Sequence, residues 1–106
     1  MIVVTSETVS GMRIVKTLGL VRGNTVRARH IGKDIMAGLR NIVGGEIHEY
    51  GKLMAESREQ SIDRMVAEAE ALGANAVVAT RFTTSVISQG AADLLAVGNA
   101  VRVEQD

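Results

Sequence analysis

Apolar positions recur along this 106-residue chain in two rhythms, and the switches between them divide it into six elements. Ile2–Val4 is a short apolar run suited to a strand. From Met12 to Arg29 the spacing is two. Val15, Thr17, Gly19 and Val21 share one face, while Ile14, Lys16, Leu18 and Leu20 share the other, which predicts extended backbone. Gly23-Asn24 is a turn or bulge signal, so this stretch is expected to form a hairpin that returns through Thr25–Arg29. Gly19 marks a bulge or a close backbone approach. The rhythm then becomes helical. Ile31, Ile35, Leu39, Ile42 and Val43 form one stripe, with Lys33, Asp34, Arg40 and Asn41 mostly on other faces. A second helix is predicted over about residues 50–72. Its stripe is Tyr50, Leu53, Met54, Ile62, Met65, Val66, Ala69 and Leu72, broken for one turn by Ser57, Arg58 and Ser61. Gly73 supplies a left-handed cap. Lys52 with Glu56, and Arg64 with Glu68, have the spacing of helical ion pairs.

Extended rhythm resumes in Asn75–Ser88, where Val78, Thr80, Phe82, Thr84 and Val86 alternate among β-branched neighbours. Gln89–Asp93 is expected to be a loop. Leu94–Val103 is a last strand with Leu95, Val97, Val101 and Val103 on one face. Asn99 falls on that face directly after Gly98, which suggests a bulge there. The order β-β-α-α-β-β predicts an α+β fold: a two-layer α/β subunit with a mainly antiparallel sheet and two helices on one face. Nothing interrupts residues 1–106, which are expected to form one domain.

Composition changes this picture in one respect. Apolar residues make up 46% of the chain, yet Tyr50 and Phe82 are the only aromatics, and fourteen Val and thirteen Ala dominate. Aromatics bring the most buried area per residue. A core of small aliphatic residues is therefore thin, or is completed by another copy of the chain. Lys plus Arg and Asp plus Glu are 12 each, so net charge is zero. No basic run points to nucleic acid or an anionic membrane, and base stacking lacks its aromatics. There is no Cys, hence no disulfide and no thiolate chemistry. No signal peptide and no apolar run of about 20 residues is visible, which makes the cytoplasm the expected location.

Residues 38–45, GLRNIVGG, are the stretch that most invites a chemical reading. A P-loop needs Gly-Lys-Ser/Thr leading into a helix. Here the glycine pair follows a predicted helix, at the negative end of its dipole. Gly44-Gly45 therefore reads as a cap and hinge between two helices. Gly38 lies within the helix, where Gly costs about 1 kcal/mol relative to Ala. It marks either close contact with a neighbouring backbone or room for a ligand. Arg40 and Asn41 are either a solvated face or donors to carbonyls across a subunit contact. Glu46, His48 and Glu49 cluster after the glycines. On a loop they form the best metal handle, and the competing reading is a polar turn with first-turn acids. His30 and His48 are the only histidines and lack metal-ligand spacing. No nucleophile motif or Ser–His–Asp set is present.

GLRNIVGG, Tyr50, a charged helix, and ALGANAVV at 71–78, preceded by RIVKTLGLVRGNTVRAR, together resemble the YbjQ-like family of small bacterial and archaeal proteins. That family has no established activity and is often labelled heavy-metal-binding. The resemblance covers nearly the whole chain. It departs at Glu46-Ile47, where many relatives carry Arg-Ser. It implies a two-layer subunit that assembles into a ring, expected to be a homopentamer with inter-subunit sheet contacts. The function expected is that of a non-enzymatic scaffold or adaptor. The alternative is a metal-ion or small-ligand binder with sites at subunit junctions.

Overall fold

The computed structural model describes residues 1–27, 45–88 and 91–106. They form one mixed four-stranded sheet with a single helix on one face. The strands are β1 (Ile2–Val3), β2 (Met12–Arg27), β3 (Ala76–Ser88) and β4 (Ala91–Gln105), and the helix is α1 (Gly45–Ala71). The sheet order is β1-β3-β4-β2, with β1 parallel to β3 and the other pairs antiparallel. The α+β class is as the sequence predicts. The first predicted helix lies outside the described residues, and among the described residues there is one helix.

The predicted hairpin at Gly23-Asn24 is absent. β2 runs straight through these residues, with Gly23 opposite Ala96 and Asn24 opposite Leu95. The glycine is there for packing. A Cβ on Gly23 would collide with the Ser61 carbonyl oxygen and the Met65 amide nitrogen, and would lie 2.7 Å from Arg64 Cβ. The helix thus rests on bare strand backbone at this point.

The helix surface is shaped for that approach. Its buried positions among the described residues are Ser57, Ser61, Met65 and Ala69, spaced by four. The two serines that seemed to interrupt the apolar stripe are therefore its inner face, and Leu72 is nearly half exposed. Small side chains let α1 come close, and their hydroxyls find partners. Ser61 Oγ lies 3.0 Å from the carbonyl oxygens of Leu94 and Ser57, and 3.0 Å from Thr25 Oγ1. Arg64 is turned to the Asn24 carbonyl, to which it donates, instead of pairing with Glu68.

Around this seat Val21, Met65, Ala69, Ala74, Val77, Ala96 and Ala100 form the core between helix and sheet. A second cluster, Ala76, Val78, Val101 and Val103, lies on the opposite face, where Ile2, Val4, Val9 and Met12 of the N-terminal segment pack on it. Among the described core residues Met65 is the largest side chain fully buried. Among the described residues the core is as thin as the composition suggested.

Bulges fall elsewhere than expected. The Gly19 signal holds: register shifts between Ile14 and Lys16 and between Thr17 and Gly19, and Gly19 has φ +129°. Near Gly98 the additional residue is on β3, between Val78 and Arg81, and not on β4. That bulge overturns the single alternating face read for β3. Val77 and Val78 sit in opposite clusters, and Phe82 pairs with Ala96 of the helix-covered face. The loop expected over Gln89–Asp93 is also shorter, because Ala91–Asp93 already belong to β4.

Candidate functional site

The residues singled out by the sequence divide in two. Gly38, Arg40, Asn41 and Gly44 lie outside the described residues, as does His30. Gly45 is the first residue of α1. Glu46, His48 and Glu49 lie in the first turns of α1 and not on a loop. Their side chains are outside those described.

The ALGANAVV stretch, in contrast, is fully accounted for by architecture. Gly73 takes φ +86°. Its N–H donates to the Glu70 carbonyl at 3.0 Å, and the Ala74 N–H donates to the Ala69 carbonyl at 3.1 Å. Those two bonds are a Schellman closure of α1. Asn75 follows and acts as a substitute strand residue. Its side-chain amide donates to the Val103 carbonyl at 2.9 Å and accepts from the Val103 N–H at 2.8 Å. The motif turns the chain from helix to sheet and fixes where β3 meets β4.

Two features are left over after the fold has used its residues. The first is a pair of strand edges. β2 pairs only with β4, so along its 16 residues the outer edge has no strand beside it among the described residues. β3 is covered by β1 at Ala76 and Val77, and by bonds from Ala79 N–H to Ser6 and from Thr80 N–H to Val4. From Arg81 onward its outer edge also has no described neighbour. Leu20, 62% exposed, Val15 and Ile14 are large apolar side chains on the β2 edge strand, and Phe82 is exposed on β3.

The second is a cleft on the sheet face away from α1. It has a volume of about 340 Å³ and is lined by Glu7, Thr17 and Asn99 together with aliphatic side chains. Asn99 lies on the Val97–Val101 face of β4, where the bulges of β2 and β3 flank it. Sequence reasoning found Asn99 as an irregularity in strand pattern and missed its partners, because Glu7 is brought there by the N-terminal segment.

A family model described as "Putative heavy-metal-binding", YbjQ, matches residues 1–104. The chain belongs to the YbjQ family. Its relatives include a UPF0145 protein of Methanosarcina acetivorans, 54% identical over 103 residues and 97% of each chain. A UPF0145 protein of Dehalococcoides mccartyi is 56% identical over 104 residues, covering 98% of this chain and 100% of its own. One of Clostridioides difficile is 53% identical over 106 residues, covering 100% and 95%. A crystal structure of a protein of unknown function from Pediococcus pentosaceus, of the DUF74 family, superposes with a TM-score of 0.58 at 15% identity, covering 100% and 98%. That likeness establishes the fold.

The metal in the YbjQ description can be tested against donor chemistry. Soft metals take thiolate, thioether or imidazole. The chain has no Cys. Met65 is sealed in the core and Met12 packs on the second cluster. Among the described residues no three His, Asp or Glu side chains come together. With both histidine side chains outside those described, the described residues assemble no His, Asp or Glu set that would hold such a metal.

Proposed function

We propose that this YbjQ-family chain is the subunit of a homo-oligomeric ring, expected to be a pentamer, and serves as a non-enzymatic cytoplasmic scaffold or adaptor. The observation that carries the reading is the pair of strand edges without described neighbours, on opposite sides of one sheet. Edge backbone is a template for pairing with another chain. When the β2 edge of one copy meets the β3 edge of the next, the contact is head-to-tail, and such contacts form a ring when the rotation between copies closes. The exposed Ile14, Val15 and Leu20 on the β2 edge strand support the same reading. A non-enzymatic role is supported by where the polar side chains around the helix–sheet seam go: Thr25, Ser61 and Asn75 all bond to backbone or to one another.

The test is native mass spectrometry of untagged protein purified without chelator, beside Leu20→Lys. The wild type should give a ring mass. Leu20→Lys should keep its circular dichroism spectrum and move to smaller species. A wild-type monomer at micromolar concentration would refute the proposal. The alternative, favoured by the family description, is a metal or small-ligand site at subunit junctions using Glu46, His48 and Glu49. A stoichiometric metal mass lost in Glu46→Ala/His48→Ala would establish it.

A further inference from the structure

We infer that the cleft around Asn99 is a binding site for a small aliphatic ammonium compound carrying an amide or hydroxyl group. This inference does not rest on ring assembly. Three irregularities of the sheet converge on it. β2 carries one additional residue between Ile14 and Lys16 and another between Thr17 and Gly19, and β3 carries one between Val78 and Arg81. Both neighbours of β4 therefore leave the regular pleat on either side of Asn99. Bulges commonly re-aim side chains beside functional sites.

The β3 bulge is strained. Ala79 has φ +54°, a conformation that costs a residue with a Cβ free energy and is kept only when its surroundings enforce it. What the bulge gains is an outward-facing amide. Ala79 N–H donates to the Ser6 carbonyl at 2.7 Å, and Thr80 N–H donates to the Val4 carbonyl at 3.1 Å. These two bonds hold the N-terminal segment against the sheet and bring Glu7, the next residue, to the rim of the cleft. The strain at Ala79 and the position of Glu7 are one arrangement.

The lining sets the ligand class. Glu7, Thr17 and Asn99 supply a carboxylate, a hydroxyl and a carboxamide, and none of these three side chains has a partner among the described residues. Glu7 is the only ionisable group of the lining, so the site favours a cation. A carboxylate on an exposed rim accepts from an ammonium with charge assistance. Asn99 both donates and accepts, which suits an amide or a hydroxyl. Ile14, Val78 and Val101 form an aliphatic wall. A volume of about 340 Å³ lies at the small end for ligand sites and restricts the guest accordingly.

The experiment is a titration of the uniformly ¹⁵N-labelled full chain with alaninamide, followed by backbone amide shifts. Isobutyramide, which lacks the ammonium, is the paired probe. Alaninamide should give saturable shifts at Thr17, Val78, Ala79 and Asn99, with a Kd of roughly millimolar order for so small a probe. Isobutyramide should bind at least about tenfold more weakly, the loss of one charge-assisted contact. Glu7→Gln should reproduce that loss for alaninamide, and Asn99→Ala should weaken both probes. Both residues are exposed, so the variants should fold, and unchanged spectra away from the cleft check this. No saturable shift, equal affinity for the two probes, or shifts untouched by either substitution would overturn the assignment.

Discussion

Replacing Gly23 by Ala tests how the helix is seated. The new methyl group would overlap the Ser61 oxygen and the Met65 nitrogen and lie 2.7 Å from Arg64 Cβ. Two of these are helix backbone, which cannot step aside as a side-chain end does. To reach ordinary contact α1 must retreat by about 1 Å, a misfit of the kind that costs about 1–3 kcal/mol in packed interiors. The retreat also stretches the 3.0 Å contacts of Ser61 to Leu94 and Thr25, at about 1 kcal/mol for each bond lost. Reduced freedom of the unfolded chain returns up to about 1 kcal/mol. The net expectation is a loss of about 2–4 kcal/mol, a large part of a small domain's stability. Urea unfolding at fixed protein concentration measures it. Gly23→Asn separates this reasoning from the turn reading. A turn glycine tolerates Asn, whereas a packing glycine should suffer more from Asn than from Ala. A loss below about 0.5 kcal/mol for Gly23→Ala, or Asn milder than Ala, would refute the close seating of α1.

Three further outcomes are expected from the same assay. Asn75→Ala removes both amide bonds to Val103 and should cost about 2 kcal/mol, with Asn75→Asp no better because a carboxylate then faces the Val103 carbonyl. Thr80 Oγ1 is buried without a hydrogen-bond partner, so Thr80→Val should be neutral or stabilising by up to about 1 kcal/mol, and a clear loss would mean that the hydroxyl is bonded in solution. Ala79→Gly relieves the positive φ and should raise the stability, whereas Gly73→Ala, at φ +86°, should lower it by about 1 kcal/mol. Equal signs for these two would contradict the backbone conformations described.

Period and cap signals carried most of the fold. Gly73 was legible as the helix end because only one local conformation closes a helix that way. Gly19 was legible as a bulge or a close approach, the two uses a strand interior has for glycine, and its φ of +129° with open space around it decides for the bulge. Gly23 was misread because a turn and a close helix approach ask for the same missing Cβ, and a single sequence does not distinguish them. Ser57 and Ser61 were misread for a related reason. Hydropathy ranks them as polar, but what placed them inside was size: the helix could lie on Gly23 only with small side chains around it. The β3 face reversed at Ala79 because a bulge resets period-two counting and Ala gives no signal for it. The cleft was legible only at Asn99, since Glu7 reaches it through backbone bonds between segments far apart in sequence.

The same thinness that permits close seating limits what one subunit can bury. Val21, Val77, Ala96 and Ala100 offer little area, and Met65 is the one large side chain fully enclosed among the described core residues. If edge pairing between copies supplies the remainder, folding and assembly are linked, and stability depends on concentration. Raising the protein concentration about a hundredfold should then add about 2 kcal/mol per chain of a pentamer through mass action. For a domain of this size that is a rise of several degrees in Tm. Leu20→Lys should flatten the dependence by weakening the β2 edge contact without touching the core. A wild-type Tm that stays constant over that range would show the thin core to be sufficient alone, and would leave the exposed β2 edge without the assembly role proposed for it.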